Sequence, residues 1–327
     1  MNFIFKNYIK PINHLLSHCG NLKYNETLVI ICDPSTRNIA SLFADQGSQI
    51  TSKVKLLETP LAKCHGQEPI AEVATEMFNA DLIIGLTSMS MAHTQARVKA
   101  SDNSARYLSL PDYSFDLLED ASVIVDFKSN APIVKFVSDS FTSGNQVHIT
   151  TKAGTDISLD ISGRLGNYCP GFVNKDVKLA SPPDIEANVP PVEGKSQGIV
   201  VIDGSITCSE IGLLTDPVIL TIDKGFITNI QSANGLYVRI LEEKFSKIAS
   251  DKAYILAECG VGLNEYAKLT GMMLTDEGAA GCVHFGFGSN STIGGKNNIN
   301  FHLDFVFTGA SMNIDNIPIL SNGRITK

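Results

Sequence analysis

The chain has 327 residues, 43% hydrophobic and 18% charged, enough apolar sequence for one large core or two ordinary ones. Its 26 Lys and Arg against 34 Asp and Glu give a formal charge of −8, the wrong sign for a protein held to phosphate backbones, so no nucleic-acid partner is expected. Apolar runs reach only about five residues where roughly 20 are needed to cross a bilayer, so no membrane span is expected either.

The opening MNFIFKNYIKPINHLL carries Lys6 and scattered polar residues without a small-residue cleavage site, and is not expected to be a secretory signal. From Glu26 onward strand-type runs alternate with helix-type stretches. TLVIIC (27–32), KVKLL (53–57), DLIIGL (81–86), ARYLSL (105–110) and SVIVDF (122–127) read as buried parallel strands. RNIASLFADQG, EPIAEVATEMFNA, MAHTQARVKASDN and SFDLLED are each long enough for one crossover helix. Asp33, after the first run, sits either at a ligand-binding sheet edge or as a plain helix N-cap. The expected fold class is α/β, with an N-terminal open parallel α/β domain (1–143) followed by a strand-rich α+β metal-binding domain (144–327).

The second half changes period. QVHITTKAGTDISLDISG alternates around Ala153-Gly154-Thr155 and VILTIDKGFITNIQ around Asp223-Lys224-Gly225, predicting two antiparallel hairpins. A helix is expected from Leu236 to Ala249 with Leu236, Ile240, Leu241, Phe245 and Ile248 on its apolar face. Residues 181–198 hold four prolines and read as a rigid loop. Seven cysteines, an odd number without a CxxC pair, fit a cytoplasmic protein better than a disulfide framework.

The chemistry concentrates in residues 257–307. In FHLDFVF a strand's period of two puts His302 and Asp304 on one face, a chelating pair. His284 lies in a second short strand, VHFGF, and Glu258 ends the run AYILAE before a glycine-rich stretch taken as a turn. Acids in such apolar strands cost several kcal/mol unless a cation or hydrogen bonds compensate. A His/Glu/His/Asp set is the mixed ligand field of Zn, Mn, Co or Fe, although a purely structural polar network fits the same residues. The segment 289–298 is glycine-rich like a phosphate loop but lacks the GxxxxGK[ST] order.

The runs AECGVGLN (257–264), an E-x-G-x-G-x-N pattern, HFGFG (284–288), HLD (302–304), VEGKSQGIVVIDGSI (192–206) and SMSMAHTQAR (88–97) resemble the aminopeptidase T-like metallopeptidases and the related 2,5-dihydroxypyridine dioxygenases. The resemblance covers the chain from about residue 26 onward. It implies a homodimeric metal-dependent hydrolase acting on a small molecule or short peptide, with two divalent ions (Zn, Co or Mn) held by Glu186, Glu258, His284, His302 and Asp304. It also implies His93 and Thr94 near the substrate, His93 as acid or base. Read from position alone, Glu277 is a catalytic base or orienting group or else a solvated turn residue, and Arg97, on the face of His93, a substrate contact or else a surface salt bridge. By the dioxygenase branch it implies instead one Fe(II) on His302, Asp304 and a third ligand. One departure stands out: Ser291 occupies the place, seven residues after His284, where the peptidases carry a Tyr.

Overall fold

The computed structural model describes residues 7–326, so the first six residues of the opening segment, with Lys6, lie outside the described residues. The chain forms two compact units. One comprises the chain to Lys128 with Gly171–Pro183; the other comprises Ser129–Pro170 with Asp184–Lys327.

In the first unit a five-stranded parallel sheet runs in the order Lys53–Glu58, Thr27–Cys32, Leu82–Leu86, Arg106–Ser109, Leu179–Ala180. The expected helices form at Arg37–Gly47, Ala71–Phe78, Gln95–Asp102 and Phe115–Glu119. Val29, Ile31 and Ile83 pack there against Val73 and Met77. Two expectations need correction. Lys53–Glu58 is an edge strand with both lysines exposed, because among the described residues no further strand pairs with it. SVIVDF is no strand: the Asp120 carboxylate accepts a hydrogen bond from the Ser122 amide and starts a 3-10 turn, Ala121–Ile124, after which the helix Phe127–Ser143 begins.

The second unit carries two antiparallel sheets. The eight-stranded sheet contains both expected hairpins, Gln146–Thr150 with Asp156–Asp160 and Val218–Asp223 with Phe226–Ser232. Lys224 and Gly225 both have positive φ, the backbone that a tight two-residue hairpin turn requires. The following helix, Gly235–Lys247, buries Tyr237, Leu241 and Phe245, while Leu236 stays exposed, so the buried stripe begins one residue later than expected.

The seven-stranded sheet runs in the order Gly212–Leu213, Ser205–Ile206, His302–Thr308, Cys282–Gly288, Leu256–Gly262, Glu186–Val189, Asn167–Cys169. The strand Glu186–Val189 lies inside the segment expected to be a loop. Its prolines, 182, 183, 190 and 191, flank the strand, so none interrupts a ladder hydrogen bond. Among the described residues no helix is long and apolar enough to cross a membrane.

Candidate metal centre

The register of this seven-stranded sheet sorts its side chains into two unlike faces. Val261, Val283, Phe285, Phe287, Phe305 and Phe307 share one face and are fully buried, with Phe285 against Phe307 and Phe287 against Phe305. Every second residue in the same strands points the other way: Glu186 and Asn188, Glu258, His284, and His302 and Asp304. Gly260, Gly262, Gly286 and Gly288 lie on that face too, as do Cys282 and Val306. The E-x-G-x-G and H-x-G-x-G motifs are therefore strands, and Glu258 sits within Leu256–Gly262 rather than at a strand end, correcting the expected turn.

The glycines make room. A Cβ at 260 would overlap the imidazole of His284, and one at 286 would overlap that of His302 and come within 2.9 Å of Asp304 Oδ1. Across Gly262 the backbone carbonyl of Glu277 approaches to a distance that no side chain would permit.

The face gathers five buried or half-buried carboxyls around two imidazoles. His284 Nε2 lies 3.1 Å from Glu186 Oε2 and 3.8 Å from Glu258 Oε1. His302 Nε2 lies 3.3 Å from Glu258 Oε2 and 3.0 Å from Asp304 Oδ1. His302 Nδ1 faces the Ser289 carbonyl at 2.8 Å, so that nitrogen is the N–H donor and Nε2 is turned to the carboxylates. His284 is fully buried, whereas the His302 side chain keeps 33% exposure and is the open side of the cluster.

Electrostatics follow from crowding. Burial lowers the affinity of both imidazoles for a proton, but Glu186 and Glu258 beside His284, and Asp304 and Glu258 beside His302, outweigh it and raise both pKa values well above the ordinary one. Burial opposes ionisation of Glu258 as well, yet hydrogen bonds and charge from the two histidines hold it below the usual carboxylate range. Asp184 and Glu277 go the other way: burial, then neighbouring carboxylates, push them up. A side-chain hydrogen bond shared with Asp304 adds to the upward push on Glu277.

Two groups of three fall within ligand distance of one another, Glu186/Glu258/His284 and Glu258/His302/Asp304, and they share Glu258. Asp184 Oδ1 and Glu277 Oε1 are buried without a hydrogen-bond partner beside these groups, and Glu186 Oε2 has the His284 ring nitrogen at 3.1 Å, a crowding of buried carboxyls that a nearby cation would relieve. Imidazole nitrogen plus carboxylate oxygen is a donor set that suits Zn, Co, Mn or Fe. The residues present fit a divalent cation.

All five expected ligands are thus brought together, with Glu277 beside them. Ser291 lies in the 289–301 connection, exposed, its amide donating to Asn297 O. Two neighbours escaped the sequence reading. Asn188 donates from Nδ2 to Glu186 Oε1 at 2.7 Å and accepts from Asn167 Nδ2 at 2.8 Å, and Asp184 lies two residues before Glu186. The spacing Glu186-x-Asn188 was the available signal, hidden because 181–198 did not read as a strand.

The remaining expected residues belong to the first unit. Thr94 caps the helix Gln95–Asp102: its buried hydroxyl accepts from Arg97 N and donates to Met91 O. Arg97 is half-buried and donates through Nε to Ala92 O, while His93 is exposed. Asp33 is not a helix cap. It accepts from the amides and hydroxyls of Ser35 and Ser88.

Among solved structures, 2,5-dihydroxypyridine dioxygenase from Pseudomonas putida KT2440 has the same fold, with a TM-score of 0.84 at 17% identity over 98% of this chain and 96% of that one. Wild-type AmpT from Thermus thermophilus aligns with a TM-score of 0.68 at 13% identity over 99% of this chain and 100% of that one. No curated protein matches this chain. The family model NicX, described as 2,5-dihydroxypyridine 5,6-dioxygenase, matches residues 8–327, and the chain belongs to that family.

Proposed function

We propose that this protein is a metal-dependent hydrolase that cleaves an amide or peptide bond, with two divalent ions (Zn, Co or Mn) on Glu186, Glu258, His284, His302 and Asp304. The observation that carries this reading is the placement of Glu258, whose two carboxylate oxygens face different imidazoles, Oε1 toward His284 and Oε2 toward His302. A carboxylate shared by two ligand groups is what a two-metal site needs. The ions, when bound, supply an acidified water and polarisation of the scissile carbonyl.

The chain's own groups do the rest. Ser289 O fixes the ring of His302 so that Nε2 serves as ligand. Asn188 fixes one oxygen of Glu186 and leaves the other facing His284, and Glu277 shares a hydrogen bond with Asp304. For His93 the proposed role is acid or base toward the substrate, and for Thr94 and Arg97 substrate positioning. Turnover that falls in His93→Ala while metal content stays constant would support the first.

A second reading, a mononuclear Fe(II) ring-cleaving dioxygenase on His302, Asp304 and Glu258 or His284, is favoured by the family and by the higher TM-score with the dioxygenase. Elemental analysis of protein purified without chelator separates them, together with peptide hydrolysis and oxygen uptake on 2,5-dihydroxypyridine. Two Zn, Co or Mn per chain with amide cleavage supports the first reading. One Fe with oxygen uptake overturns it.

A further inference from the structure

The second unit holds a cavity of about 560 Å³ away from the carboxylate cluster's own lining, walled by Ser162, Arg164, Glu193, Lys252, Lys296 and Asn297 among others. Its charge is unlike that of the chain. Three cationic side chains meet one carboxylate there, in a protein of net charge −8. The carboxylate is already consumed: Glu193 pairs with Arg164, and its Oε1 accepts from Asn290 Nδ2 at 3.0 Å and from the Lys296 amide at 2.7 Å.

Arg164 is a held group rather than a surface one, with 9% of its side chain exposed. It donates through Nη1 to Gly294 O at 2.8 Å and through Nη2 to Glu193, which leaves other guanidinium N–H donors on a side chain that lines the cavity. Among the described residues the ammonium groups of Lys252 and Lys296 have no ion pair. A preorganised guanidinium in a cavity lined also by Lys252 and Lys296 is suited to an oxyanion, which it can meet with charge-assisted hydrogen bonds.

We propose that this cavity binds the anionic group, phosphate or carboxylate, of a small molecule. The glycine-rich run 289–298 thereby gains a use that its sequence order did not predict: it presents Lys296 and the Gly294 carbonyl that anchors Arg164. The same connection supplies Ser289 O to His302, so the anion site and the carboxylate cluster share one chain segment. The proposal does not depend on which metal chemistry the cluster performs.

Isothermal titration of the full-length protein with inorganic phosphate and, separately, with succinate tests it, using wild type and the Lys252→Ala/Lys296→Ala variant. The ligand-free melting temperature checks that the variant is folded. Saturable binding of either probe that weakens tenfold or more in the variant supports the site, and the probe that binds names the anion class. Absence of saturable binding by both probes overturns it. So does equal affinity in wild type and variant, which would place the anion elsewhere.

Discussion

Gly260 lies directly opposite His284 in the antiparallel ladder, and the imidazole occupies the volume that any side chain at 260 would need. Gly260→Ala should therefore displace His284 from Glu186 and Glu258, costing about 1–3 kcal/mol by overpacking and lowering metal content. Gly235, at the exposed start of the helix Gly235–Lys247 with open space around its absent Cβ, provides the control. Gly235→Ala should keep wild-type metal content and gain up to about 1 kcal/mol from helix propensity. Metal analysis and denaturant unfolding of the two variants check the contrast, and wild-type metal in Gly260→Ala would count against it.

The chelating pair gives the second expectation. His302→Ala and Asp304→Ala should each abolish tight metal binding and leave the first unit folded, because a chelate loses affinity steeply when a ligand is removed. The measurement is metal content after gel filtration, with unfolding followed by circular dichroism. Undiminished metal in either variant would contradict the assignment.

Asn188 should matter without touching the ion. Its Nδ2 holds Glu186 Oε1, and Asn188→Asp replaces that donor with a like charge beside the carboxylate. The expected result is a 10–100-fold loss of metal affinity, the size typical of groups that orient a ligand. Competition against a chromophoric chelator reads it directly. Unchanged affinity would mean that Glu186 is positioned by other contacts.

Much of this was legible in the sequence, for a physical reason. The pair His302 and Asp304 declares itself through period-two alternation, and both hairpins through turns that need positive φ. The errors have equally local causes. Gly260 and Gly262 made a strand look like a turn, since glycine is usually spent on backbone freedom and here is spent on space for His284 and for the Glu277 carbonyl. The flanking prolines hid Glu186–Val189 in the same way, and with it the register that brings Asn188 beside Glu186. No pattern within 122–127 could reveal that Asp120 would start a 3-10 turn, because a β-branched apolar run fits either state.

Asp33 supplies the last expectation, one that involves no metal. It follows the strand Thr27–Cys32, and Ser88 follows the central strand Leu82–Leu86, the neighbour on the side opposite Lys53–Glu58. The chain reverses its direction of travel across the sheet between these two strands, the point at which parallel sheets leave a crevice. Asp33 closes it: Oδ2 accepts from the Ser88 amide and hydroxyl, both at 2.6 Å, and Oδ1 accepts from the Ser35 amide at 2.9 Å. Burial alone would raise its pKa, but the hydrogen bonds from Ser35 and Ser88 outweigh burial and hold it below the ordinary carboxylate value. A group with a depressed native pKa stabilises the fold above its unfolded pKa, about 3.9 for Asp, and loses that contribution as pH falls through the native value. Asp33→Asn should thus be less stable than wild type by about 1–3 kcal/mol at pH 7, the range for hydrogen bonds to a charged acceptor. The gap should narrow only as pH drops below about 4. Urea unfolding of both proteins from pH 7 to pH 3 measures it, and a gap that closes already at pH 6, or never opens, would show that the Asp33 charge does not hold the two loops together.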